Sequence, residues 1–200
     1  MDYLCGIDEA GRGPLAGPVT AAAVILGPET PRELLVDSKQ LSPEKREIAS
    51  VRIRETALAW GVGWADHREI DAINIHQAAL LAMRRAFYSI ILTMRSRGVQ
   101  RIPISRVLVD GKFPPYLGSA APTEAVIGGD RKVPEISAAS ILAKTSRDRW
   151  MAAQDGAFPG YGFAGHKGYP TPAHRETIYR LGPSPIHRRS FRLVPSRSAS

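Results

Sequence analysis

Short apolar runs and longer periodic ones alternate along this chain, and each predicts an element. Tyr3 to Ile7 and Val19 to Leu26 are brief apolar segments, the second with β-branched residues. A loop carrying Gly11, Gly13, Pro14, Gly17 and Pro18 separates them, so two adjacent strands are expected. Ser42-Pro43-Glu44 provides an N-cap, a proline at the first helical position and an acid in the first turn, opening a helix through about Thr56. Leu58, Trp60, Val62 and Trp64 alternate with Ala and Gly, the period of a third strand with one covered face.

From Arg68 to Arg97 apolar positions from Ile70 to Met94 recur at helical spacing, in two pieces, until Gly98 stops them. Val107-Leu108-Val109 is too short and too apolar for anything but a buried strand, and Ala125-Val126-Ile127 is similar. Both runs reach an aspartate soon afterwards, Asp110 and Asp130. A helix over Ile136 to about Gln154 follows, then Gly/Pro-rich loops and a short helix near Ala173 to Leu181. Strands first, then strands mixed with helices, predict an α/β sheet with helical packing and a C-terminal extension.

Two hundred residues suit one large domain, and 44% hydrophobic with 23% charged residues excludes disordered, collagenous and coiled-coil chains. Lys and Arg number 27 against 19 Asp and Glu, a net charge of +8 that favours a polyanionic partner, nucleic acid or an anionic membrane surface. The one cysteine, Cys5, excludes an internal disulfide framework and a multi-cysteine zinc site. No apolar run is long enough to span a bilayer and no signal-peptide pattern occurs, so a cytoplasmic location is expected. Residues 195–200 have the composition of a frayed tail.

Asp8 and Glu9 close the first strand beside a glycine loop holding Arg12. Adjacent strand residues point to opposite faces, so both reach one site only where the strand twists or ends. Alone, the pair also reads as a solvated acidic turn. Asp110 and Asp130 follow buried strands as well, and open α/β sheets place their sites at strand ends. Four converging carboxylates repel one another unless a cation lies between them, and an all-oxygen set suits Mg²⁺ or Mn²⁺. With a basic chain, that arrangement suggests metal-assisted phosphodiester cleavage.

These residues carry a specific resemblance. Gly6-Ile7-Asp8-Glu9-Ala10-Gly11-Arg12-Gly13-Pro14-Leu15-Ala16-Gly17-Pro18-Val19 is similar to the opening motif of the ribonuclease HII family. Asp37-Ser38-Lys39-Gln40-Leu41, Asn74-Ile75-His76, Val109-Asp110-Gly111, Gly129-Asp130 and Ile136 to Lys144 follow in that family's order. So do Arg147-Asp148, Tyr161-Gly162-Phe163, His166 to Thr171, His174 and the closing His187-Arg188-Arg189-Ser190-Phe191.

The resemblance implies a ribonuclease-H-like α/β fold, a mixed central sheet flanked by helices with a helical C-terminal extension from about residue 155. Residues 1–194 would be a single catalytic domain. It also implies an endoribonuclease that degrades the RNA strand of RNA–DNA hybrids and nicks duplexes 5′ of embedded ribonucleotides, using Mg²⁺ or Mn²⁺. Its catalytic and metal-binding carboxylates fall on Asp8, Glu9, Asp110 and Asp130. Gly11, Arg12 and Gly13 match a clamp on the ribose 2′-hydroxyl and neighbouring phosphate, and glycine admits such a close approach. Tyr169 matches a tyrosine packed on the sugar beyond the cut; by itself it would read as a packing residue.

Lys39, His166 and Lys167 resemble phosphate contacts, though each also reads as a solvated surface group. Helical Lys144 and Asp148 lie four apart, the spacing of a structural pair. Arg188 and Arg189 either dock the C-terminal segment or meet duplex backbone.

Gly128 stands where the family often has lysine, which puts a phosphate contact there in doubt; Arg131 or Lys132 could replace it. Residues 95–106 are longer and more polar than a minimal connection and suggest no role. No clamp-binding motif follows Phe191, and a monomer is expected. A junction resolvase of similar fold and a non-catalytic nucleic-acid-binding module are the rival readings; fold alone does not separate them.

Overall fold

Val19–Ile25 has a single polar side chain, Thr20, and every residue of it is buried, so this strand has to be covered on both faces. It does lie inside a sheet with helices on both sides. The protein, a computed structural model, is described over residues 3–35, 41–96, 103–118 and 121–193. Lys39, Gly98 and residues 195–200, named above, lie outside these. The strands are β1 (Tyr3–Ala10), β2 (Val19–Ile25), β3 (Ala59–Ala65), β4 (Ile104–Asp110) and β5 (Thr123–Val126), in the order β3-β2-β1-β4-β5. β1 is antiparallel to β2 and parallel to β4, β2 is antiparallel to β3, and β4 is parallel to β5. The sheet is therefore mixed, as expected.

Among the described residues five α-helices accompany it: α1 (Pro43–Thr56), α2 (His67–Ser96), α3 (Pro134–Ala157), α4 (Phe163–His166) and α5 (Pro172–Leu181). Ser42 caps α1 by accepting from the Lys45 amide. Asp66 opens α2 by accepting from the Arg68 and Glu69 amides while Glu69 accepts from the Asp66 amide, a reciprocal capping box. The two pieces expected in α2 meet at Asn74, whose φ is 65° and whose side chain accepts from the His76 and Gln77 amides to restart the helix.

Alternation along β1 and β2 sorts the core. Cys5, Ile7, Ala21, Ala23 and Ile25 pack towards α2, whereas Ala22 and Val24 pack towards α1 and α3. The first turn of α3 lies so close to β1 that a Cβ on Gly6 would collide with the backbone of Glu135 and Ile136. Ala138, Ala139 and Ala143 keep that contact tight.

One expectation is corrected. The segment read as a buried strand at Ala125-Val126-Ile127 is an edge strand, Thr123–Val126, with Ala125 exposed and Ile127 beyond its end, 65% exposed. An edge strand bonds a neighbour on one side only, so apolar composition did not guarantee burial.

Candidate active site

The register of β1 against β4 decides which carboxylates meet. Ile7 pairs with Val109 in the parallel ladder, so Asp8 and Asp110, one residue further on each strand, emerge at the same end. Asp8 pairs with Ala22 and Glu9 with Ala21, alanines that belong to opposite faces of the sheet. Both acids nevertheless line one cleft of about 490 Å³ with Asp110, Arg12, Arg46, Ser140, Lys144 and Tyr169, because β1 ends there. A larger hollow of about 660 Å³ between α1, β3 and α2 contains one carboxylate, Glu55, already paired with Arg52. It offers no comparable cluster.

Burial drives the Asp8 carboxyl well above its ordinary pKa, and the charges of Glu9 and Asp110 push the same way against a hydrogen bond from Ser140. Glu9 is raised too, mainly by burial, although Arg12 holds its carboxylate at 3.2 Å and opposes the shift. Asp110 is oriented by the Gly129 amide, which donates to it at 2.7 Å. Asp130, next along the chain in a short 3₁₀ turn, is buried at 2% exposure and does not line the cleft. Three of the four predicted acids thus share one space.

Among the described residues, no three His, Cys, Asp or Glu side chains are grouped so as to hold a metal ion by themselves. Mg²⁺ does not require a cage: it keeps several waters and takes one or two carboxylates plus substrate phosphate. Asp8, Glu9 and Asp110 offer only oxygen donors, and burial together with neighbouring charge disfavours ionised Asp8 and Glu9 without a cation, so the set fits such an ion.

Behind the cleft wall lie two buried guanidiniums. Arg188 donates to the carbonyls of Gly11 at 2.6 Å, Arg12 at 2.9 Å, Gly17 at 2.9 Å and Pro18 at 3.0 Å. Arg147 donates to Ala16 at 3.0 Å, Pro18 at 2.9 Å and Lys167 at 3.0 Å. Burial lowers Arg147 to about 10 and Arg188 to about 9. Gly11, at φ 93°, has no room for a Cβ because Arg147 occupies that place, whereas Gly13 faces open space. Arg188 therefore docks the C-terminal segment. Asp71 assists by accepting from the Arg189 and Ser190 amides, and the Arg189 side chain is exposed.

The remaining predicted contacts divide. Tyr169 lines the cleft, with Lys144 and Arg147 near its ring. His166 is engaged internally, accepting from the Gly168 amide and donating to the Tyr161 carbonyl, while the Lys167 ammonium bonds the Ala164 carbonyl. Lys144 and Asp148 form the expected pair at 2.7 Å. At Gly128 φ is 65°, a conformation that strains a lysine, and the Lys132 ammonium bonds the Ile127 carbonyl. Arg46, Ser140 and Lys144 were not singled out as cleft groups from sequence. Their helical spacing carries no sign of which cavity they border.

His174 and His187, buried at 0% and 1% exposure, are both pushed down to about 4 chiefly by burial. Their unfolded pKa is near 6.5, so between about pH 6.5 and 4 the unfolded chain binds protons the folded one refuses. This pair therefore contributes stability above pH 6.5 and withdraws it as pH falls. We expect imidazole NMR titrations with midpoints near 4 for both rings; midpoints near 6.5 would show them solvated.

Comparison with known proteins agrees with this architecture. A family model described as Ribonuclease HII matches residues 5–194. A curated protein named Ribonuclease HII, from Hyphomonas neptunium, is 53% identical over 192 residues, covering 94% of this chain and 92% of its own. The crystal structure of ribonuclease H2 from Pyrococcus horikoshii OT3 superposes with a TM-score of 0.75 at 26% identity, covering 96% of this chain and 94% of that one. The structure of the PCNA:RNase HII complex from Archaeoglobus fulgidus matches with a TM-score of 0.74 at 25% identity, covering 96% of each chain. Matching order, near-complete coverage and a shared mixed sheet leave one conclusion: the chain belongs to the ribonuclease HII family of endonucleases.

Proposed function

We propose that this protein cuts the RNA strand of RNA–DNA hybrids and nicks DNA duplexes on the 5′ side of an embedded ribonucleotide, leaving 3′-hydroxyl and 5′-phosphate ends. One observation carries the reading: Asp8, Glu9 and Asp110 line the same cleft as Gly11, Arg12, Gly13 and Tyr169. An acidic centre for phosphodiester hydrolysis and a surface for recognising a sugar are thereby adjacent. Asp130, which follows the Gly129 whose amide donates to Asp110, completes the proposed acidic set.

When bound, Mg²⁺ or Mn²⁺ would neutralise charge at the scissile phosphate and activate the attacking water. Asp8, Glu9 and Asp110 would hold it. Arg12 is half exposed beside Glu9 and faces an incoming phosphate, and the open space at Gly13 admits a ribose against backbone. The fold makes no demand for glycine at position 13, which supports a ligand-driven reason for it. Tyr169 packs on the neighbouring sugar, while Lys144 and Arg46 meet backbone phosphates.

His166 and Lys167 serve the cleft through the loop they build, and Lys39 remains a proposed phosphate contact. Residues 1–194 act as one catalytic domain, cytoplasmic and monomeric. Among the described residues no helix is long and apolar enough to cross a membrane.

The test is cleavage of an end-labelled DNA duplex with one embedded ribonucleotide, in Mg²⁺, Mn²⁺ and chelator, beside an all-DNA duplex. A metal-dependent nick immediately 5′ of the ribonucleotide with the control intact supports the reading, and folded protein that binds but never nicks overturns it. Six phosphate contacts would give a slope of log K against log salt of about −5. A slope near zero would remove the proposed phosphate contacts. Tyr169→Ala should lower cleavage at the ribonucleotide about tenfold while changing duplex affinity less; equal losses in both would return Tyr169 to packing.

A further inference from the structure

We propose that His174 and His187 are positioning residues for Tyr169, a chain of two neutral imidazoles with locked tautomers that fixes the peptide from which the cleft-facing ring projects. The proposal rests on the reading of Tyr169 as the sugar-packing group.

The chain starts at a group that can only donate. The Ser184 amide donates to His187 Nδ1 at 2.8 Å, so that nitrogen carries no proton and neutral His187 is protonated at Nε2. His187 Nε2 lies 3.1 Å from His174 Nε2 and donates to it. His174 must then carry its proton on Nδ1, which donates to the Tyr169 carbonyl at 2.9 Å. Each link fixes the next.

His166 secures the other end of the same segment. It stacks on His174 with ring centroids 4.1 Å apart, its Nδ1 accepts from the Gly168 amide, and its carbonyl accepts from the Tyr169 amide at 2.9 Å. The Gly168 carbonyl in turn accepts from the Leu15 amide, tying this segment to the chain that follows Arg12 and Gly13. Imidazoles thus hold the Gly168 amide and, together with the Thr171 amide, the Tyr169 carbonyl, while the His166 carbonyl holds the Tyr169 amide and the glycine loop's continuation holds the Gly168 carbonyl.

Neutrality is required by the geometry. A proton added to His174 Nε2 would face the N–H of His187 Nε2 at 3.1 Å, and one added to His187 Nδ1 would face the Ser184 amide N–H at 2.8 Å. Both rings are buried, which disfavours charge in the same sense.

The experiment compares His174→Asn with His174→Gln, each alone and combined with Tyr169→Ala, measuring kcat for nicking at an embedded ribonucleotide. Asparagine places an amide donor where Nδ1 was; glutamine places its amide near Nε2 and leaves the Tyr169 carbonyl without that donor. We expect His174→Gln to lower kcat about tenfold, His174→Asn to recover most of it, and His174→Gln to add nothing once Tyr169 is alanine. Equal impairment by the two variants, or an undiminished loss in the Tyr169→Ala background, overturns the proposal. A silent Tyr169→Ala overturns instead the reading of Tyr169 on which it rests. Should the variants fail to fold, ¹⁵N spectra of the unaltered protein decide: unprotonated His187 Nδ1 with protonated His174 Nδ1 supports the chain, and the reverse tautomers refute it.

Discussion

Asp110→Asn should abolish turnover, lowering kcat by about a thousandfold or more, while making the metal-free protein more stable. The loss follows from removing one of three acids that share the cleft, because under the proposed function a cation held there would supply several kcal/mol of transition-state charge stabilisation. The gain follows from the same crowding. Asp8 and Glu9 have carboxyls raised by burial, with the charge of Asp110 raising both further. A folded pKa above the unfolded one means stability that is full in acid and is lost as pH rises through the folded value. Removing the Asp110 charge lessens that loss at neutral pH. The asparagine oxygen can still accept from the Gly129 amide, so local geometry survives.

Urea unfolding at pH 5 and pH 8, with and without Mg²⁺, is the measurement. The unaltered protein should lose stability from pH 5 to 8 through this cluster and regain it with Mg²⁺, and the variant should show both effects weakly. Equal stabilisation of both proteins by Mg²⁺, or appreciable cleavage by the variant, would place Asp110 outside the site.

Arg188→Lys is expected to destabilise the fold by about 3 kcal/mol, because a buried carbonyl left without its donor costs about 1–3 kcal/mol and Arg188 serves four, of which Pro18 alone keeps a second guanidinium donor, Arg147. Lysine has three donors on a point-like ammonium and cannot reproduce the planar fork. Thermal melting should fall by roughly 6–12 °C for a domain of this size. Activity should fall further than stability alone explains, since Gly11 and Arg12 lose their support and a 1 Å displacement of a substrate contact can lower rate about a hundredfold. Calorimetry together with kcat measured well below the melting point separates the two effects. Near-native melting would show that the four carbonyls find other donors.

How much of this was legible beforehand differs from element to element. The N-cap at Ser42, the alternation of Leu58 to Trp64 and the interruption of the long helix were readable because capping and periodicity are local properties. The acids at the strand ends were readable for the same reason. Ala125 was misjudged because burial of a short apolar run depends on whether a neighbour covers it. The docking role of Arg188 stayed open because an arginine side chain looks alike in sequence whether it meets phosphate or backbone carbonyls.

By itself, then, the sequence determined the α/β class, the order of elements, the family and the acids at the strand ends, since each depends on short-range patterning or an ordered set of motifs. Only the tertiary structure decided that Asp8, Glu9 and Asp110 share a cleft while Asp130 is buried and does not line it. It also decided that two guanidiniums hold the glycine loop and that three histidines serve the backbone around Tyr169. The physical reason is register and burial: the Ile7–Val109 pairing sets which carboxylates meet, and removal from water turns charged and titratable side chains into hydrogen-bonding struts.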